Sequence, residues 1–93
     1  MLDVNEYFDG CVKSVAFQGA EGSVTSGVML AGKYTFGTSQ NELMKVVYGE
    51  LIVRFADSDA WQSFPAGSEF SVPANSSFDV DAPVNSVYLC FYS

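Results

Sequence analysis

Val12, Ser14 and Ala16 alternate with Lys13, Val15 and Phe17, so residues 12–17 read as a strand with one face small or apolar. Residues 23–30, rich in β-branched side chains, read as a second strand. Ala31-Gly32 then turns the chain into 33–38, and Gly49-Glu50 turns 43–48 into 51–56. Gly67 leads into 70–72, Pro73-Ala74-Asn75 makes another turn, and 77–80 and 86–92 are the last two strands. About nine short strands at this spacing predict an all-β sandwich or barrel. The only helical window is 39–44, where Ser39, Gln40, Asn41 and Glu42 could form one turn. The final strand has no polar face: Val87, Leu89 and Phe91 line one side, and Tyr88, Cys90 and Tyr92 the other. Such a strand is covered on both sides, either by a barrel interior and a partner subunit or by two sheets of its own chain.

A chain of 93 residues has room for one core, and 48% hydrophobic content is enough to build it. The expected organisation is a single domain over 1–93. Eleven acidic residues against four basic ones give a net charge of −7, the wrong sign for a phosphate backbone. The chain has no histidine, which removes imidazole acid–base chemistry and histidine metal ligands. Two cysteines, Cys11 and Cys90, make no disulfide framework, and free thiols in a reducing compartment are expected. No basic region followed by an apolar run opens the chain, and no apolar stretch approaches the ~20 residues of a membrane span. The expectation is a cytoplasmic protein with no membrane and no nucleic-acid partner.

Gly27-x4-Gly32-Lys33 has the spacing of a phosphate-binding loop, but the intervening residues form an apolar strand and Tyr34 stands where the hydroxyl ligand belongs. The pairs Asp57-x-Asp59 and Asp79-x-Asp81 lie near expected turns and read as solvated loop charge. A longer pattern carries more. Glu42 is followed by six residues and Gly49, and Gly67 by five residues and Pro73. These spacings resemble the two motifs of the cupin superfamily, a small double-stranded β-helix or β-barrel. Metal-binding cupins place histidines where this chain has Phe36, Thr38 and Phe78, so only Glu42 of the ligand set survives. One carboxylate and one hydroxyl do not hold a transition metal, so a metal-free site is expected.

Ordered blocks sharpen the resemblance. They are Asn5-Glu6-Tyr7-Phe8, Val12-Lys13-Ser14, Gly27-Val28-Met29, Gly32 with Tyr34-Thr35-Phe36, Gly67 with Val72-Pro73, and Tyr88-Leu89-Cys90 with Tyr92. Together they resemble the pyrimidine/purine nucleoside phosphorylase family of compact bacterial cupins, end to end. The chain departs from that family's frequent wording at Ala74-Asn75-Ser76, in place of Gly-His-Ser, and at Cys90-Phe91-Tyr92, in place of Cys-Arg-Tyr.

The resemblance implies a homodimeric enzyme that cleaves nucleosides with inorganic phosphate as co-substrate and needs no cofactor. The products are free base and pentose 1-phosphate. Such a site needs a stacking platform, because every base has a π-face, and Tyr34, Phe36, Phe78 and Tyr88 are the candidates, with Thr38 on the same face. Lys13, in a matched block, and Ser76, in the Pro73 turn, are the candidate phosphate contacts. Glu42 is the candidate acid, or an anchor for a ribose hydroxyl. The alternatives are a non-enzymatic, metal-free cupin that binds a small polar ligand, and an inactive relative that keeps only the dimer.

Overall fold

The computed structural model describes residues 1–93 as ten strands and no helix. They are β1 (Asp3–Tyr7), β2 (Val12–Gly19), β3 (Gly22–Met29), β4 (Gly32–Gly37), β5 (Glu42–Tyr48), β6 (Glu50–Phe55), β7 (Gln62–Pro65), β8 (Glu69–Val72), β9 (Ser77–Ala82) and β10 (Ser86–Tyr92). The ladders form a six-stranded sheet, β1-β2-β3-β10-β5-β8, and a four-stranded sheet, β4-β9-β6-β7. All pairings are antiparallel. The expected cupin barrel thus takes the form of two facing sheets, not one closed ladder.

Period-two alternation decides what each sheet turns inward. On β2 Val12 and Ser14 are buried while Lys13 is exposed, and on β10 Ser86, Tyr88 and Cys90 are buried. The inward faces meet in a core of fourteen residues that includes Met29, Leu51, Val53, Val80 and Phe78. The outward side chains of β10, Val87, Leu89 and Phe91, are only partly covered. The final strand is therefore not sandwiched between two sheets of its own chain.

Two glycines explain why the motif spacings recur as they do. Gly49, between β5 and β6, has φ of +84°, and a Cβ there would run into Asn85 and Ser86. Gly67, before β8, has φ of +92°, a conformation open to glycine and costly for a branched side chain. Gly49 closes β5, the strand that carries Glu42, and Gly67 precedes β8, the ladder partner of β5.

The structure corrects two expectations. The window 39–44 is not helical, because Glu42 opens β5 and the residues before it form a bend. Asp79 and Asp81 lie within β9, not in a loop. There Asp79 accepts two hydrogen bonds from Arg54, at 2.8 and 3.1 Å, and one from Thr35 at 2.7 Å. The span from Gly27 to Lys33 agrees with its sequence reading: it is the end of β3, a bend and the start of β4, and no helix follows.

Candidate active site

Between the sheets lies a cavity of 230 Å³. Its aromatic wall belongs to the four-stranded sheet. Phe36 on β4 and Phe78 on β9 are register partners, so their rings share one face. The rings stack with centroids 5.5 Å apart and planes 24° from parallel. Phe8, in the β1–β2 turn, closes the group edge-on to Phe36 at 5.4 Å. The opposite wall is polar and belongs to the six-stranded sheet: Tyr7, Ser14, Glu42, Tyr88, Cys90 and Tyr92.

Register brings these polar groups together. Ser14, Gly27, Tyr88 and Val46 lie in one row across β2, β3, β10 and β5. A Cβ on Gly27 would collide with the Tyr88 ring. The ring therefore lies across the bare Gly27 backbone and turns its hydroxyl towards Ser14. In an uncrowded strand, Gly→Ala gains stability. Here the collision reverses the sign, and Gly27→Ala is expected to lose about 1–3 kcal/mol in denaturant unfolding. The displaced Tyr88 ring should also narrow the cavity, which a nucleoside-binding titration of the same variant would read.

Glu42 is half-buried at the cavity wall. Burial raises its pKa above the ordinary carboxylate range, and a hydrogen bond from the Cys90 thiol, Sγ to Oε1 at 3.5 Å, partly offsets that. Burial also pushes the Tyr88 hydroxyl up to about 12, with the neighbouring Cys90 and Tyr7 adding repulsion against its ionised form. The cavity thus presents neutral donors and one carboxyl that holds its proton more tightly than a free one.

Of the residues singled out from the sequence, Phe36, Phe78, Tyr88 and Glu42 meet in this cavity. Tyr34 is buried beside it, its ring 4.9 Å from Phe8 and its hydroxyl donating to the Leu30 carbonyl at 2.7 Å. Thr38 holds the β8–β9 turn: its hydroxyl donates to the Pro73 carbonyl at 2.7 Å and accepts from the Ser76 amide at 2.9 Å. Ser76 belongs to that turn and does not line the cavity. Lys13 points away from the cavity, because it alternates with Ser14, and it pairs with Glu6 at 3.2 Å on the outer face. None of the four cations lines the cavity: Lys45 pairs with Glu69, Arg54 pairs with Asp79, and Lys33 is exposed on β4.

Tyr7, Phe8, Ser14, Cys90 and Tyr92 also line the cavity; they stand in the matched blocks, but sequence reasoning gave them no part in the site. The signal for three of them was present: Ser14 is a small polar residue on an inward face, and Cys90 and Tyr92 share the face of Tyr88.

The chain's donor set does not fit a transition metal. Phe36 and Phe78 carry no ligand atom, Thr38 is engaged in its turn, and no three Asp, Glu, Cys or His side chains converge anywhere.

Two facing antiparallel sheets with a polar and aromatic cavity between them give the chain a cupin fold. An RmlC-like cupin from Shewanella frigidimarina superposes with a TM-score of 0.74 at 17% identity, over 99% of this chain and 83% of that one. Within that class the chain belongs to the pyrimidine/purine nucleoside phosphorylase family, whose model matches residues 2–92. A Pseudomonas fluorescens protein named pyrimidine/purine nucleoside phosphorylase is 59% identical over 92 residues, 99% of this chain and 98% of that one. A Vibrio parahaemolyticus protein of unknown function superposes with a TM-score of 0.93 at 41% identity, over 97% of this chain and 96% of its own.

Proposed function

We propose that this protein cleaves purine and pyrimidine nucleosides with inorganic phosphate, releasing free base and pentose 1-phosphate in nucleoside salvage. The observation that carries the reading is the cavity itself, a stacked Phe36–Phe78 pair facing a half-buried Glu42, in a chain whose residues 2–92 match the family. The base lies against the Phe36 ring, which Phe78 backs and which accepts either base type because no base edge is read. A phosphate oxygen attacks C1′ from the face opposite the base. The C1′–N bond breaks, and its electron pair leaves on the base nitrogen. Glu42 gives that nitrogen its proton and regains one from the attacking hydrogen phosphate, so the carboxyl ends the cycle as it began. With no cation on the wall, phosphate is met by the hydroxyls of Tyr7, Ser14 and Tyr88.

The test is to incubate the purified chain with a panel of nucleosides, with and without phosphate. Base release only in the presence of phosphate supports the reading. A metal-independent site is part of it, so prolonged EDTA treatment is expected to leave both folding and base release unchanged. Loss of activity restored by one divalent metal would contradict that.

A homodimer is part of the reading as well. The outer face of the six-stranded sheet carries Phe17, Val28, Leu89 and Phe91, and a groove of 550 Å³ crosses it. Soluble monomers rarely leave so broad an apolar face in water. Light scattering at micromolar concentration is expected to give twice the 10.0 kDa chain mass, and Leu89→Arg to reduce it to one chain. Both cysteines are free, which suits a reducing cytoplasm. Cys11 lies opposite the end of β3 and Cys90 opposite Thr25, about five residues or ~17 Å apart along that strand, far beyond disulfide reach.

A further inference from the structure

Beside Glu42 lies a group of polar side chains that the proposed chemistry does not use. Cys90 is 2% exposed and opposite Thr25 on one side and Met44 on the other. Its thiol donates to Glu42 Oε1 at 3.5 Å, diagonally across the β5–β10 ladder. Beside the sulfur stand the hydroxyls of Thr25 and Tyr92, 3.2 Å from each other.

We infer that Cys90 is a positioning residue for Glu42: the hydroxyls of Thr25 and Tyr92 hold its sulfur, and its S–H is thereby fixed on the carboxyl that faces the cavity. The inference rests on the role given to Glu42 above. A thiol is a weak donor and a weak acceptor, and a sulfur that accepts from a hydroxyl becomes a better donor. Burial keeps the thiol protonated by pushing it up to about 12, so the S–H is present throughout the working range. Its hydrogen bond favours the ionised form of Glu42 and so opposes the burial that favours the neutral form. The arrangement leaves Glu42 able both to release a proton and to recover it.

Few other groups compete for that carboxyl. Tyr88 and Tyr92 face it from β10 and Tyr7 from β1. The facing β4 and β9 present Phe36 and Phe78, and Val72 on β8 is its register partner. No cation lines the site, so Cys90 is the donor that sets the balance.

The test reads Glu42 itself. Protein labelled with carbon-13 at glutamate carboxyls is titrated by NMR, with Glu42→Gln assigning the resonance. Cys90→Val keeps bulk and strand preference but removes the donor, and its Glu42 midpoint is expected to rise by about half a unit or more. Cys90→Ser restores a donor and should bring the midpoint back towards the wild-type value. Tyr92→Phe leaves Cys90 in place, covers the case in which Cys90→Val fails to fold, and should raise the midpoint by a smaller amount. A midpoint unchanged in Cys90→Val, or in Tyr92→Phe if Cys90→Val does not fold, would overturn the inference, since a purely structural cysteine would alter stability alone. The titration decides this whether or not phosphate is a co-substrate, while wild-type protein that releases no base would strike only at the activity.

Discussion

Glu42→Gln is expected to lower the turnover of phosphorolysis by about 10²–10⁴-fold, the range for removing a positioned general acid, with little change in nucleoside affinity. The amide keeps the shape of the carboxyl and the hydrogen bond from Cys90, and loses only the exchangeable proton. The pH dependence has a definite sign. Burial raises the pKa of Glu42 in the folded state, so its acid form is present below that value and is lost as pH rises through it. Activity should therefore decline on the alkaline side, and Glu42→Gln should abolish that limb. Stability follows the same direction: the contribution of Glu42 is fully present below the ordinary carboxylate pKa and is lost as pH rises through the folded value. A variant that retains wild-type turnover and the same alkaline limb would remove Glu42 from the chemistry.

The second large effect separates the two stacked rings. Phe78 is 2% exposed, belongs to the core and also packs edge-on to Phe70 at 5.9 Å. Phe78→Ala is expected to cost about 3–5 kcal/mol of stability, because a buried phenyl leaves both a cavity and a lost transfer energy. Phe36 is only partly buried and packs against the core from the cavity side. Phe36→Ala should weaken nucleoside binding by about 1–3 kcal/mol, equally for purines and pyrimidines, with a smaller loss of stability. Melting temperature and nucleoside affinity measured on both variants check this. Equal destabilisation with unchanged affinity would make both rings core alone.

The two rings also mark how far the sequence could be read. Glu42-x6-Gly49 and Gly67-x5-Pro73 led to Phe36 and Phe78 by counting from the motif residues, and positive-φ turns such as those at Gly49 and Gly67 survive in the sequence as spacing. Alternation was visible at the start of β2, where Val12 and Ser14 are buried around exposed Lys13, whereas on β10 buried Ser86, Tyr88 and Cys90 alternate with partly covered Val87, Leu89 and Phe91, a period that a strand apolar on both faces does not mark. β1 and β7 escaped notice: Asp3–Tyr7 is largely exposed and polar, and Gln62–Pro65 is four residues long. Both are edge strands, where half of the hydrogen bonding and little of the hydrophobic pattern is present. In 39–44 local polar residues pointed to a helical turn, and the β5 ladder overrode them.

The cavity was legible only in part for a related reason. Lys13 was drawn in by its matched block, although the same alternation that buries Ser14 turns Lys13 to the outer face. Phe8 reaches the site because the chain reverses there with φ of +53° at Phe8 and +57° at Asp9, a conformation no residue pattern announces. The contact of Cys90 with Glu42 needs the register of β5 against β10, a pairing of residues 48 positions apart. Such contacts belong to topology, and a single sequence carries no local mark of them.

The most direct measurement of the central claim follows phosphate by phosphorus-31 NMR while the purified chain is incubated with one purine and one pyrimidine nucleoside. The account predicts conversion of inorganic phosphate to a pentose 1-phosphate ester in equal amount to the free base, for both nucleosides. Free base without the ester, or no base from either nucleoside, would contradict it.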